Sequence, residues 1–326
     1  MFKSTLAAST ILAGTASASE KPGEGTTVRP VIGLIAEESF QARILFRALE
    51  DLGYDVADPQ EVEIQTAHLA LATGDADFYP AHWHNLQTAF FEESGGDDLL
   101  EEVKGPFISG TLQGYLIDKA TYDSGVHSLA DLAKPEIAAK FDADGDGKAD
   151  LAGCPPGWGC ERVIEHQLDE YELRDTVTHN QGAYNAIMAD TIARYETGKP
   201  ILYNTWTPYW VSATLVPGKD VEWLEVPYTS LPDGVEADTT YEGRNLGFAV
   251  DNIYILATDE FLADNPAAAK LFSVASISAA DISAQSKLMT EGEDDSSDID
   301  RHVDNWIEAH KAEYDSWLEQ ARAASE

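Results

Sequence analysis

The stretch "GPFISGTLQGYLID", Gly105–Asp118, decides how this chain is organised, together with its later counterpart "GFAVDNIYILATDE", Gly247–Glu260. Both are strand-like runs rich in β-branched and aromatic residues, and both carry glycine at or near their start. A full set of alternating strand and helix candidates lies between them. A chain that leaves one unit through one strand and returns through another builds a discontinuous architecture. This predicts an α/β protein of two lobes, with lobe one formed by 19–113 and 248–326, lobe two by 114–247, and the two strands crossing between them.

Working outward, "VRPVIGLIAEES" (Val28–Ser39) reads as a short buried strand entering a turn. Phe40, Ile44, Leu45, Ala48, Leu49 and Leu52 then mark one helical face that stops at Gly53. A strand-sized "YDVA" (Tyr54–Ala57), a helical "EVEIQTAHLALATG" (Glu61–Gly74) and an apolar "ADFYPAHW" (Ala76–Trp83) follow. Strands alternating with helices at this spacing argue for a mostly parallel sheet. The C-terminal segment keeps a helical stripe through Ile299, Val303, Trp306, Ile307, His310, Tyr314, Trp317 and Leu318, preceded by "EGEDDSSDID" (Glu291–Asp300), read as a solvated loop. Two lobes joined by crossing strands enclose a cleft, and such clefts bind small ligands.

The first twenty residues, "MFKSTLAASTILAGTASASE", carry Lys3, an apolar stretch from Leu6 to Gly14 and the small-residue run Ala16-Ser17-Ala18. This is the pattern of an export signal, 1–18, cleaved near Ala18. Thr15 stands where a lipid-anchored bacterial protein would carry cysteine, so the expectation is a free, soluble protein of the Gram-negative periplasm. Its two cysteines then pair in an oxidising compartment. The chain holds 58 acidic against 21 basic residues, a net charge of −37, with an ordinary apolar fraction of 44%. That charge belongs on a surface and argues against a nucleic-acid partner, because phosphate binding needs the opposite sign. It suits solubility at high ionic strength and a salt-loving source.

Both cysteines lie in "CPPGWGC", Cys154–Cys160. A bridge closing so small a loop adds only about 2 kcal/mol of global stability in the chain-entropy model. Local rigidity is the better reason: with Pro155 and Pro156 the ring fixes Trp158 and the N–H groups around Gly157, Gly159 and Cys160. The following "ERVIEHQLDEYEL" (Glu161–Leu173) reads as a helix, so the ring sits at a helix N-terminus, where a carboxylate is favoured. A quaternary ammonium has no N–H to donate and is held by aromatic faces instead. Trp83 and Trp206 both follow strand-like runs, and with Trp158 they would form a cage, while Trp223, Trp306 and Trp317 read as core.

The segments "RALEDLGYDV" (Arg47–Val56), "FDADGDGKADLAGCPPGWGCE" (Phe141–Glu161), "TVTHNQGAYNAIMADTIARY" (Thr176–Tyr195) and "YNTWTPYWVS" (Tyr203–Ser212) carry a resemblance. From about Gly25 to its C-terminus the chain resembles the periplasmic glycine betaine-binding proteins of the osmoprotectant ABC importer, the ProX type. The resemblance implies a type II periplasmic binding protein that boxes trimethylammonium with Trp83, Trp158 and Trp206. It also implies carboxylate contacts from the backbone N–H groups of Gly159 and Cys160. The implied partner is an inner-membrane ABC permease, served by a monomer with no required cofactor. The family has a histidine four residues after its first cage tryptophan; here that position is Gln87, which can donate a hydrogen bond but brings no charge.

Two further patterns bear on metals. "DADGDGKAD" places Asp142, Asp144, Asp146 and Asp150 at the first, third, fifth and ninth positions of a calcium loop, with Lys148 at the seventh and Gly147 at the sharp turn. Gly153 replaces the bidentate glutamate of the twelfth position, so a structural Ca2+ competes with a plain acidic turn. "HWH" (His82–His84) offers two imidazoles with no third ligand evident from sequence. The remaining histidines, including His179, read as satisfied structural residues. No Gly-x-Ser-x-Gly elbow, phosphate loop or credible nucleophile points to an enzyme. The alternatives to glycine betaine are another methylated solute (proline betaine, choline or dimethylsulfoniopropionate) or, from another class, a secreted calcium- or metal-binding structural protein.

Overall fold

The computed structural model describes residues 20–35 and 38–325. The export signal expected over 1–18 lies outside the described residues. Eight strands form one curled sheet: β1 (Phe78–Trp83), β2 (Leu100–Glu102), β3 (Ile108–Asp118), β4 (Ala149–Ala152), β5 (Val177–Asn180), β6 (Leu202–Thr207), β7 (Val221–Trp223) and β8 (Asp251–Thr258). The order is β1-β8-β3-β6-β4-β5, with β2 on β8 and β7 on β3.

The stretch Gly105–Asp118 contains the join. β3 pairs antiparallel with β8 at its beginning, through Ile108↔Ile253 and Thr111↔Asp251, and with β6 over the rest, from Leu112↔Thr207 to Ile117↔Leu202. One strand therefore belongs to both halves of the molecule, and the chain returns to the first half through β8.

Among the described residues, the helices of six residues or more are α1 (Glu38–Asp51), α2 (Ile64–Ala72), α3 (Thr88–Glu93), α4 (Gly159–Glu170), α5 (Tyr184–Glu196), α6 (Asp259–Asp264), α7 (Pro266–Val274), α8 (Ala279–Thr290), α9 (Ser296–Ala309) and α10 (Lys311–Ala323). In lobe one α1 contributes Phe40, Ile44, Leu45 and Leu49, all buried, to one apolar cluster with Phe78 and Phe272. These are residues of the predicted helical face, and they lie one above another at the helical period. A second cluster, with Tyr115, Phe141, Leu151, Ile164, Leu202 and Phe248, is the core of lobe two. Trp223, Trp306 and Trp317 are buried in core positions, at 4%, 6% and 3% exposure.

The C-terminal stripe is one helical face carried by two helices, α9 (Ser296–Ala309) and α10 (Lys311–Ala323), broken at His310. The acidic stretch is only partly a loop. Asp295 accepts the Asp298 N–H at 2.9 Å and starts α9, so Ser296–Asp300 are its first residues. An aspartate cap and acidic side chains at a helix N-terminus are favourable there, which composition alone read as solvated loop.

Candidate ligand-binding cleft

Three elements from different parts of the sequence meet between the lobes. Trp83 ends β1, Trp206 stands near the end of β6, and Trp158 precedes α4 (Gly159–Glu170). All three line one pocket together with Leu86, Gln87, Gln113, Gly159 and Cys160. Trp158 and Trp206 face each other edge-on, centroids 6.0 Å apart at 61°. Trp83 reaches the same pocket from lobe one.

Cys154 and Cys160 are bridged, with Cα atoms 6.0 Å apart. Trp158 is the N-cap of α4, in extended conformation and with no side-chain cap. Its carbonyl accepts the Glu161 and Arg162 N–H groups. The N–H groups of Gly159 and Cys160 are the first two of the helix, and an α-helix supplies no partner of its own to such groups. They add the dipole and two donors to the pocket wall. Gly159 also lies against the other lobe: a Cβ there would lie 2.4 Å from the Leu86 carbonyl oxygen.

The Leu86 loop is held by a residue that sequence reasoning passed over. The buried Asp251 carboxylate accepts the N–H groups of Asn85 and Leu86 at 3.1 Å. Burial raises its pKa despite these bonds. An aspartate at a strand start carries no sequence signal of this role, because its partners lie far upstream. Tyr184 and Tyr209 were missed as well. Tyr184 stacks near Trp158 (5.9 Å, 27°) and Trp206 (4.8 Å, 35°), and its hydroxyl donates to the Asn204 carbonyl at 2.8 Å. Tyr209 lies 4.3 Å from Trp206 and donates to Asn185 at 2.8 Å. In sequence they look like ordinary core tyrosines.

Gln87 is buried, and its Nε2 donates to the Ala81 carbonyl at 3.4 Å. Beside it the Tyr79 hydroxyl is pushed well above its ordinary pKa by desolvation, with the charge of Glu38 adding and the Gln87 side chain opposing. Gln113, on the pocket's other side, donates to Asn204 at 3.0 Å. The pocket wall is thus aromatic at one part and polar at another, where the amides of Gln41, Gln87 and Gln113 and the Glu38 carboxylate line it.

The family model for the substrate-binding domain of the ABC-type glycine betaine transport system matches residues 26–309. This chain belongs to that family. Its members are the binding components of transporters, and catalysis is not their work. Among relatives of this substrate-binding family, the glycine betaine/proline betaine-binding periplasmic protein of Escherichia coli K12 is 50% identical over 317 residues, 97% of this chain and 96% of that protein. The glycine betaine-binding periplasmic protein OusX of Dickeya dadantii is 48% identical over 325 residues, 98% of each. Among solved structures, lactococcal OpuAC in its closed form with glycine betaine superposes with a TM-score of 0.68 at 20% identity, covering 90% of this chain and 99% of that one. A choline-binding protein with choline gives 0.68 at 18%, covering 92% and 96%. These two likenesses bear on the fold, the two-lobed α/β architecture of the substrate-binding family.

Away from the cleft, Asp142, Asp144 and Asp146 bring carboxylate oxygens within 4.8 Å of one another. The same carboxylates accept N–H bonds inside the loop: Asp142 from Gly145 (2.6 Å) and Gly147 (2.9 Å), Asp144 from Asp146 (3.0 Å), Asp146 from Lys148 (2.8 Å). These backbone bonds hold the Asp142 carboxyl below the usual range. Asp150 turns to the Ala143 N–H and Asn180, and the Lys148 ammonium to the Arg174 carbonyl.

Proposed function

We propose that this chain captures glycine betaine in the periplasm and delivers it to an inner-membrane ABC permease, acting as a monomer. The observation that carries this is the convergence of Trp83, Trp158 and Trp206 on one pocket whose wall includes the head of α4. The three indoles enclose the trimethylammonium group, each desolvated cation–π contact contributing about 2 kcal/mol. The Gly159 and Cys160 N–H groups receive the carboxylate. The names of the relatives at about half identity support the same ligand, compartment and transporter partner.

Closure of the lobes, divided at 113/114 and 247/248, seals the cleft by bringing Leu86 against Gly159. Ligand stabilises the closed state through its greater affinity for it. Betaine is a net-neutral zwitterion, so the charge of −37 neither steers nor repels it strongly and molar salt leaves capture intact. Gln87 supplies no positive charge, which puts the carboxylate on the helix head. Proline betaine and dimethylsulfoniopropionate share both ends of the ligand, whereas choline leaves the helix head unused and binds more weakly.

Isothermal titration of metal-stripped protein with glycine betaine, choline and a sulfonium analogue, at low and high salt, tests this reading. Saturable one-to-one binding of betaine in preference to choline supports it; absence of binding by all three overturns it.

The acidic loop we read as a structural Ca2+ site, on the gathering of Asp142, Asp144 and Asp146. Asp150 and the Lys148 carbonyl would complete it after a small rearrangement.

A further inference from the structure

We propose that Gln113 opens the cage to a second ligand class, zwitterions with a tertiary ammonium such as N,N-dimethylglycine, by offering a fixed acceptor to the single N–H of that cation. The inference rests on the cage reading of Trp83, Trp158 and Trp206 and names a further ligand of the same site. Gln113 lies on β3 and is the register partner of Trp206 on β6. Directly opposed residues of an antiparallel pair place their side chains on the same side of the sheet, with Cβ atoms about 4.5–5.5 Å apart. Both residues line the pocket, so the Gln113 amide stands at its aromatic part.

The two ends of that amide are told apart by their partners. Asn204 Nδ2 is 3.0 Å from the Gly114 carbonyl, which can only accept, so the other end of the Asn204 amide is its oxygen. Gln113 meets that oxygen at 3.0 Å and must donate to it, which commits Nε2. The remaining atom, Oε1, has no hydrogen-bond partner among the described residues. Gln87 Oε1 is sealed inside protein, whereas Gln113 Oε1 keeps accessible surface although its residue is only 4% exposed. The pocket is where that surface lies. β6 is braced at the same place, because the Tyr184 hydroxyl contacts the Asn204 carbonyl at 2.8 Å and Thr205 Oγ1 at 2.9 Å.

A cage of indoles alone discriminates against an N–H cation. The donor leaves water and finds no acceptor, which costs about tenfold or more in affinity. A carbonyl oxygen held in the wall removes that penalty. A quaternary ammonium meets the same oxygen with a methyl group polarised by the charge, a weak C–H···O contact, so glycine betaine is still accommodated. The carboxylate of either ligand goes to the helix head at Gly159 and Cys160.

The test is calorimetric titration of the native protein at pH 7, where dimethylglycine is protonated, with glycine betaine and with dimethylglycine. Both should bind one-to-one, betaine the tighter by less than about tenfold. Gln113→Met, which keeps the bulk and removes the amide, should shift the affinity ratio against dimethylglycine by at least about tenfold. Gln113→Asn keeps an amide but draws it back from the pocket and should shift the ratio in the same direction, so the test does not depend on one variant folding. The ratio is the informative quantity, since a loss of pocket structure weakens both ligands alike. Betaine binding without dimethylglycine binding, or a ratio unchanged in both variants, would overturn the role of Gln113 and leave the cage standing. Failure of the native protein to bind either ligand would overturn the cage and this inference together.

Discussion

The Cys154 N–H donates to Nε2 of His179 across 3.1 Å, and the other nitrogen of that ring faces Glu165 at 2.6 Å. The disulfide ring is thereby tied to β5 and to the body of α4, so its position is set by two elements beyond itself. His179 also occupies the space beside Gly153, where a Cβ would lie 2.1 Å from Nε2. The twelfth position of the acidic loop is glycine because the imidazole stands there, and a bidentate glutamate cannot.

Replacing His179 with alanine leaves the Cys154 N–H without its acceptor and should cost about 2 kcal/mol of stability, read from urea midpoints. The sign with pH follows from protonation. Desolvation lowers the folded-state pKa of His179, against the pull of Glu165. The neutral ring's contribution is therefore complete above the ordinary histidine value of about 6.5 and is lost as pH falls through the lower folded value. The stability difference between the native protein and the variant should narrow as pH is lowered through that window; a difference that stays constant would show that His179 acts by packing alone.

Gly159→Ala separates the helix from the cleft. Alanine in place of glycine favours a helix by up to about 1 kcal/mol, so the ligand-free protein should keep or slightly raise its Tm. The new Cβ meets the Leu86 carbonyl at 2.4 Å and holds the lobes apart. Betaine affinity should fall at least about tenfold, equivalent to about 1.4 kcal/mol. Unchanged affinity would mean that ligand is held without this lobe contact.

Trp158→Ala should weaken betaine about thirtyfold or more, the equivalent of one lost cation–π contact, with circular dichroism unchanged. Trp158 is only partly buried, unlike Trp83 and Trp206 at 9% and 7% exposure, so its removal disturbs the core least.

Betaine affinity should be flat between about pH 7 and 9, since the pocket residues named above include no histidine and Gln87 does not titrate. Gln87→His should introduce a pH dependence, with affinity rising as pH falls through the new imidazole's pKa, because the charged form attracts the carboxylate. Titrations of both proteins across this range decide it.

Ca2+ added to chelator-treated protein should raise the Tm by a few degrees, and Asp142→Asn should abolish the rise. An equal rise in that variant would assign the effect to general screening of the acidic surface.

The sequence by itself determined the periodic faces of α1 and of the C-terminal helices, the ring at a helix head, and the three indoles at strand and helix ends. These are local properties: an apolar face repeats at the helical period, two cysteines in one short loop find each other, and an aromatic at a strand end faces either core or cleft. Only the tertiary structure decided that Asp251 would hold the Leu86 loop, that Tyr184 and Tyr209 would pack beside the indoles, that His179 would fill the space beside Gly153 at the end of the acidic loop, and that Glu102 would join His82 and His84. Each of those contacts joins residues distant in sequence through strand pairing or lobe packing. A carboxylate, imidazole or phenol acquires such a role from the partner that the sheet brings beside it, and its own neighbours in the chain do not carry that information.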